Sequence, residues 1–226
     1  MGAIDVYGGT IALSTSSNGA EGLESKSTIT FHGGTLESSA YDDAINAAST
    51  ITFNDGNVWA HASNNDAIDS NDRTTGIVVN AGVVIASGAS SPEEGFDCDN
   101  AAFIINGGTV IGTGGSQGGG GGGGGLPTRA TQPYVSLSSI SLNGGTYLSL
   151  KDSSGTVVCS YRLPATVGSA TVLMSSPELK SGSSATVVYG STAVSKPSTT
   201  LWDGSYTTGG ALTGGTSRSV TPKTSN

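Results

Sequence analysis

A short acidic pattern recurs along the first half of the chain and limits the folds available to it. Each copy places an acid, a small residue, a large apolar residue and then an acid or amide in succession. The copies begin at Glu21, Asp43, Asp66 and Glu94, at intervals of 22, 23 and 28 residues. A repeat of this length is typical of solenoid proteins, in which each repeat forms one coil.

Each copy is followed by a segment with the spacing of a short β-strand. Apolar residues stand two apart there, which indicates strands rather than helices. The pairs are Ile29/Phe31, Ile51/Phe53, Ile77/Val79 and Phe103/Ile105, and each precedes a polar residue (His32, Asn54, Asn80 or Asn106) and a glycine turn. The sequence therefore predicts an all-β fold, a parallel β-helix whose stacked amides can hydrogen-bond one another.

Stacking of the coils would place the acids of the repeat in two columns. Equivalent residues of neighbouring coils lie about 4.8 Å apart, where two unit charges repel by roughly 3 kcal/mol at an effective dielectric near 20. A divalent cation would relieve this repulsion, and oxygen ligands favour Ca²⁺. The alternative is an acidic ridge that contacts only solvent. The columns are Glu21, Asp43, Asp66 and Glu94 in one case and Glu24, Asn46, Asp69 and Asp97 in the other.

The charge of the chain is divided unevenly between its two halves. Residues 1–117 carry fourteen acids against Lys26 and Arg73, whereas residues 118–226 carry three acids against seven bases. An acidic first half argues against nucleic-acid binding, because phosphate recognition requires a basic face. The sequence also contains no apolar run long enough to span a bilayer.

Changes in composition predict four regions along the chain. Residues 1–113 read as the β-helix coils, 114–130 as a glycine-rich linker containing the run Gly118–Gly125, 131–190 as a small β module or capping coil, and 191–226 as a Ser/Thr/Gly-rich tail. Trp202 and Tyr206 are unusual in a tail and indicate that it docks. Cys98 and Cys159 are compatible with two buried thiols or one disulfide.

The repeats resemble a family of bacterial cell-surface carbohydrate-binding β-helix proteins with a pectate-lyase-like fold and bound calcium. The resemblance is carried by Asp42-Asp43-Ala44-Ile45, Asn65-Asp66-Ala67-Ile68, Asn106-Gly107-Gly108-Thr109 and the segment 175–182. It implies a right-handed β-helix, calcium at the acidic turns and an acidic or cellulosic polysaccharide as ligand. The acid pair adds Asp42 to the candidate calcium ligands, and the resemblance transfers most directly to Asp43, Asp66 and Asp69.

Three classes of function remain open on the sequence. A non-catalytic, calcium-containing polysaccharide-binding protein of the cell surface or extracellular space is favoured. A subunit of an extracellular filament is the first alternative, since an acidic half and a basic half can associate head to tail. A polysaccharide lyase is the second, with Arg73 as the only candidate base. No catalytic residue is predicted.

A candidate sugar contact follows from the alternation along one strand. Val58 points inward, so Trp59 and His61 point outward on the same strand. An outward indole offers an apolar platform for a sugar ring. The alternative is that Trp59 packs under a loop or against the second module.

Overall fold

The computed structural model describes residues 2–115 and 125–225, and these ranges are almost entirely β-structure. Five coils occupy the first range, so the predicted parallel β-helix is confirmed. Coil by coil, the strands are β1 (Ile4–Val6), β2 (Thr10–Ser14) and β3 (Leu23–Ser25); β4 (Ile29–Phe31), β5 (Thr35–Ala40) and β6 (Ile45–Ala47); β7 (Ile51–Phe53), β8 (Asn57–Ala62) and β9 (Ile68–Ser70); β10 (Thr75–Val79), β11 (Val83–Ser87) and β12 (Phe96–Asp97); β13 (Ala102–Ile105) and β14 (Thr109–Gly114).

The strands stack into three parallel sheets along the solenoid. Sheet 1 contains β1, β4, β7, β10 and β13; sheet 2 contains β2, β5, β8, β11 and β14; sheet 3 contains β3, β6, β9 and β12. The register pairs equivalent repeat residues, for example Ile29 with Ile51 and Ile51 with Ile77. The sequence repeat is therefore also the structural repeat.

Apolar side chains from all three sheets fill the interior of the coils. Phe31 and Phe53 stack with their ring centroids 5.2 Å apart, and Phe96 and Phe103 stack at 4.7 Å. Full burial of such a side chain contributes about 1.5–3 kcal/mol. Phe31 and Phe53 are register partners in neighbouring coils, so their contact couples the stability of those two coils.

A second β module follows the coils and pairs with the last strands of sheets 1 and 2. Its elements are β15 (Arg129–Leu142), β16 (Tyr147–Lys151), β17 (Val157–Arg162), β18 (Val167–Ser175), β19 (Ala185–Ser191), β20 (Ala193–Ser195), β21 (Thr199–Leu201), a 3₁₀ helix (Trp202–Gly204), β22 (Tyr206–Thr208), β23 (Ala211–Thr213), β24 (Thr216–Val220) and β25 (Lys223–Ser225). Strand β15 lies parallel to β13, and β18 pairs antiparallel with both β14 and β15. The exposed strand edges of the last coil are thereby paired, which removes a site for aggregation.

The module also covers part of the outer face of sheet 2. Ile85 and Ile111 point outward from the coils, yet both are fully buried in a second core with Tyr161 and other module residues. Ala12 and Glu37 occupy the same outward column in the first two coils and are exposed. The cover therefore ends near the third coil, where the corresponding residue is Trp59.

The segment 191–226, expected to be a tail, instead supplies β20 to β25. Strand β24 pairs with β19, and β25 pairs with β15. Trp202 contacts Tyr206 edge to face at 6.4 Å, and both side chains pack on the second core. The reason is that a few apolar side chains suffice to dock a polar segment once strand pairing satisfies its backbone.

The structure decides the state of the two cysteines. Cys98 and Cys159 are both buried free thiols, and they lie in different cores. The glycine run falls largely on residues 116–124, which lie outside the described residues. None of the helical structure in residues 2–115 and 125–225 has the length and hydrophobicity that a bilayer crossing requires.

Candidate functional site

The acids of the repeat form two neighbouring columns, as their spacing predicted. In one column Glu24 pairs with Asn46, Asn46 with Asp69, and Asp69 with Asp97 in the strand register of sheet 3. The other column runs along the turns that lead into the same strands. There the backbone N–H of Asp66 donates to Asp43 Oδ1 at 3.1 Å, and the N–H of Glu94 donates to Asp66 Oδ1. The third and fourth coils thus each offer a backbone donor to the carboxylate of the coil before.

Asn46 links the two columns through its amide. Its Nδ2 donates to Asp43 Oδ2 at 2.7 Å and to Asp69 Oδ2 at 3.1 Å. Asn71 also donates to Asp69 Oδ2, at 2.8 Å. A neutral donor at this position reduces the repulsion that a fourth carboxylate would add.

Burial makes the charged form of these carboxylates unfavourable. It raises the pKa of Asp66 to about 8, and the negative charges of Asp97 and Asp43 raise it too. Burial likewise raises the pKa of Asp69 to about 8, of Glu21 to about 7 and of Asp43 to about 6, with neighbouring acids acting in the same direction. In the absence of a cation, Asp66 and Asp69 are therefore held mainly in their protonated form at neutral pH.

The donor set suits a hard cation, although the side chains do not converge on one point. Glu21 Oε2 is buried without a hydrogen-bond partner among the described residues. Within residues 2–115 and 125–225, however, no group of three or more Asp, Glu, His or Cys side chains is arranged to hold a metal ion. Asp42 lies half-buried beside the columns, and Lys26 pairs with Glu24. Metal binding would therefore require the carboxylates to draw together.

Trp59 lies in a cleft between the coils and the second module. It points outward from β8, but its ring is half-buried and its Nε1 donates to the Tyr161 hydroxyl at 2.8 Å. Trp202 of the module approaches to 6.5 Å between ring centroids. The sequence predicted the outward direction of Trp59 correctly. The alternative that Trp59 packs against the second module is also observed.

The cleft has a volume of about 250 Å³ and a cationic wall. It is lined by Trp59, Gly145, Arg162, Leu163, Pro164 and Ser205. Arg162 is exposed, and its Nε donates to the Gly145 carbonyl at 3.2 Å. That bond fixes the side chain while the terminal amino groups of the guanidinium retain donors for a bound anion or hydroxyl.

His61, the second predicted sugar contact, is placed apart from the residues that line this cleft. It is half-buried on sheet 2, and its Nδ1 lies 3.1 Å from the Ser87 carbonyl oxygen of the next coil. Burial lowers the pKa of the imidazole. These contacts describe a structural side chain that bridges two coils.

The sequence missed Arg162 and Trp202 as neighbours of Trp59. Arg162 stands at the end of a strand with no repeat or motif to mark it. Trp202 carried a weak signal as a large aromatic residue in a Ser/Thr/Gly-rich segment. It adopts a left-handed backbone with φ 47°, followed by Asp203 with φ 49°, a conformation that costs non-glycine residues energy and is often found at functional sites.

Arg73, the candidate lyase base, borders a second cleft of about 300 Å³ with Asp72, Asp99 and Asn100. Asp72 accepts hydrogen bonds from the backbone of Thr74 and Thr75. These bonds hold the pKa of the Asp72 carboxyl well below its usual range. Asp72 is therefore occupied in fixing the turn that carries Arg73.

A family model described as carbohydrate-binding domain-containing protein matches residues 5–215 of the chain. The match includes both the coils and most of the second module. No curated protein and no solved structure matches the chain significantly.

Proposed function

Because the chain belongs to the family of carbohydrate-binding domain-containing proteins, we propose that it binds a polysaccharide without cleaving it, at the cleft between Trp59 and Arg162. The observation that carries this proposal is the fixed indole of Trp59, which the Tyr161 hydroxyl orients beside a cationic side chain. Sugar rings present apolar C–H faces that pack on aromatic rings, and polar neighbours orient their hydroxyls. Extracellular or cell-surface localisation is part of the proposal, because such polymers are encountered there.

Arg162 favours an acidic polysaccharide over a neutral one at this cleft. A guanidinium pairs with a carboxylate through two parallel N–H donors. The acidic coils alone would repel an anionic polymer, since residues 1–117 carry a net charge of −12. The seven bases of residues 118–226 offset part of this charge, and Arg162 stands at the cleft itself.

Calcium in the acidic columns is the second part of the proposal. All the candidate ligands carry oxygen donors, the type that Ca²⁺ prefers. Burial and mutual repulsion already oppose ionisation of Asp66 and Asp69. A bound cation would reverse this effect and hold the carboxylates in their charged form.

Removal of the indole should abolish most binding. We expect Trp59→Ala to weaken retention on insoluble cellulose and gel retardation by polygalacturonate by about 30-fold, as for loss of a hot-spot aromatic worth roughly 2 kcal/mol.

Arg162→Ala should weaken polygalacturonate binding more than cellulose binding, with the difference shrinking at high salt. Arg218→Ala, which removes an exposed cation on β24, is the matched control and should bind normally.

These outcomes separate the function from the site. If the Trp59→Ala and Arg162→Ala variants are both retained as well as wild type, carbohydrate binding stands and this cleft is excluded as its site. The same preparations should release no unsaturated product from polygalacturonate, followed by ultraviolet absorbance. Product release that Arg73→Ala abolishes would instead identify a lyase.

A further inference from the structure

One column of exposed side chains follows the corner between sheet 1 and sheet 2. Each member comes directly after the last paired residue of a sheet 1 strand, so the members are stacked in register. All are exposed to solvent. The column, which we name the corner ladder, consists of Tyr7, His32, Asn54, Asn80 and Asn106.

Contacts between successive coils hold the corner ladder in place. Asn106 Nδ2 donates to Asn80 Oδ1, and Asn80 Nδ2 donates to Asn54 Oδ1, both at 2.9 Å. The Tyr7 and His32 rings stack with centroids 4.4 Å apart and planes 4° from parallel. His32 Nε2 lies 3.0 Å from Asp5 Oδ1. The three asparagines and the Tyr7–His32 pair are thus each oriented by contacts between neighbouring coils.

The amides have hydrogen-bonding capacity beyond what the ladder uses. A carboxamide has two N–H donors and two carbonyl lone pairs. At Asn80 the ladder uses one donor and one lone pair. The remaining donor and acceptor match a sugar hydroxyl, which both donates and accepts.

Tyr7 adds an apolar contact at one end of the corner ladder. Its side chain is 74% exposed, and among the described residues it is the only large hydrophobic side chain so exposed. Stacking on His32 restricts the ring, so less conformational entropy is lost when a ligand packs against it. Aromatic and amide groups therefore occur together on one straight, solvent-facing edge.

We propose that the corner ladder is a second polysaccharide contact, along which a linear polymer lies parallel to the solenoid axis. The coils repeat every ~4.8 Å, close to the length of one pyranose residue, so each sugar would meet one ladder side chain. The choice of ligand rests on the proposed function, whereas the position rests on the ladder geometry. Trp59 follows Asn54 by five residues on the same coil, so one long chain can reach both surfaces and gain affinity through effective concentration.

The test is an NMR titration with soluble cello-oligosaccharides and oligogalacturonates. The side-chain amide signals of Asn54, Asn80 and Asn106 and the ring signals of His32 report on the ladder, and the Trp59 indole N–H reports on the cleft. We expect both sets to shift in wild type. Asn80→Ala should remove the ladder shifts and weaken binding to long polymers by tenfold or more, while binding of short oligosaccharides at Trp59 is unchanged. Asn18→Ala, an exposed asparagine outside the ladder, is the control.

The other possible results test the corner ladder and the Trp59 cleft separately. Shifts at Trp59 with an unaffected ladder would retain the proposed function and overturn the ladder. Shifts at the ladder with an unaffected Trp59 would support the ladder and exclude the cleft. No shift in either set, with no retention of wild type on insoluble polysaccharide, would overturn both.

Discussion

Metal-free protein should melt at a temperature on the order of 10 °C lower at pH 8 than at pH 5. Burial raises the pKa of four column carboxyls to between about 6 and about 8. Between their ordinary pKa values near 4 and these raised values, the folded protein binds more protons than the unfolded chain. Stability is therefore greatest at the acidic end of this window and falls as pH rises through the folded pKa values. Each 1 kcal/mol shifts the melting temperature by roughly 2–4 °C for a chain of this size.

Calcium should abolish most of this pH dependence. A bound cation replaces the protons and stabilises the ionised carboxylates, so its effect should be largest at pH 8. Magnesium should act less, because it requires near-octahedral geometry and releases its waters reluctantly. A metal-free preparation whose melting temperature at pH 8 does not respond to calcium or to chelator would exclude calcium from the columns.

Asp66→Asn isolates the contribution of one carboxyl. An amide oxygen can still accept the Glu94 N–H that Asp66 Oδ1 accepts, while the charge is removed. We expect the variant to be more stable than wild type at pH 8 in chelator and to gain less from calcium. Glu37→Gln, at an exposed acid outside the columns, should change neither quantity. His61 acts in the opposite sense, since burial lowers its pKa and favours stability at higher pH, and comparison of variants cancels its effect.

The coils were predictable because their sequence pattern is local and repeats. Apolar residues two apart mark the strands, and acids about one coil apart mark equivalent positions in neighbouring coils. The observed strand register pairs these equivalent positions. The sequence therefore predicts both the two acid columns and the amide ladder. Period-two alternation also gave the correct outward direction of Trp59.

The surroundings of Trp59 could not be predicted, because they come from a distant part of the chain. Trp59 and Tyr161 are 102 positions apart, and no local pattern states which strand covers an outward side chain. The turn Asn143-Gly144-Gly145-Thr146 shows the same limit. It repeats the residues of Asn106-Gly107-Gly108-Thr109, yet it connects β15, which continues sheet 1 of the coils, to β16, which lies in a separate sheet of the second module. Packing in the core of the module determines which of its strands pair, and the turn sequence does not.

Gly82→Ala should destabilise the protein far more than Gly155→Ala, although the two glycines have nearly the same φ angle. Their φ angles are +83° and +86°, in the left-handed region that non-glycine residues avoid at a cost of about 1–2 kcal/mol. A Cβ at Gly82 would lie 2.2 Å from the Gly56 carbonyl oxygen of the preceding coil, whereas a Cβ at Gly155 would have no neighbour within 4 Å. The difference between the two variants therefore measures the close approach of the coils.

We expect Gly155→Ala to lose about 1–2 kcal/mol of unfolding free energy in urea titrations. Gly82→Ala should lose more than ~4 kcal/mol, because the oxygen it meets belongs to backbone that cannot rotate away and the coils must separate. Separation at this corner would also displace Asn80 from Asn54, so the ladder amide signals of a folded Gly82→Ala protein should shift as well. Equal losses in the two variants would show that the coils tolerate a wider spacing and that glycine is needed here only for its φ angle.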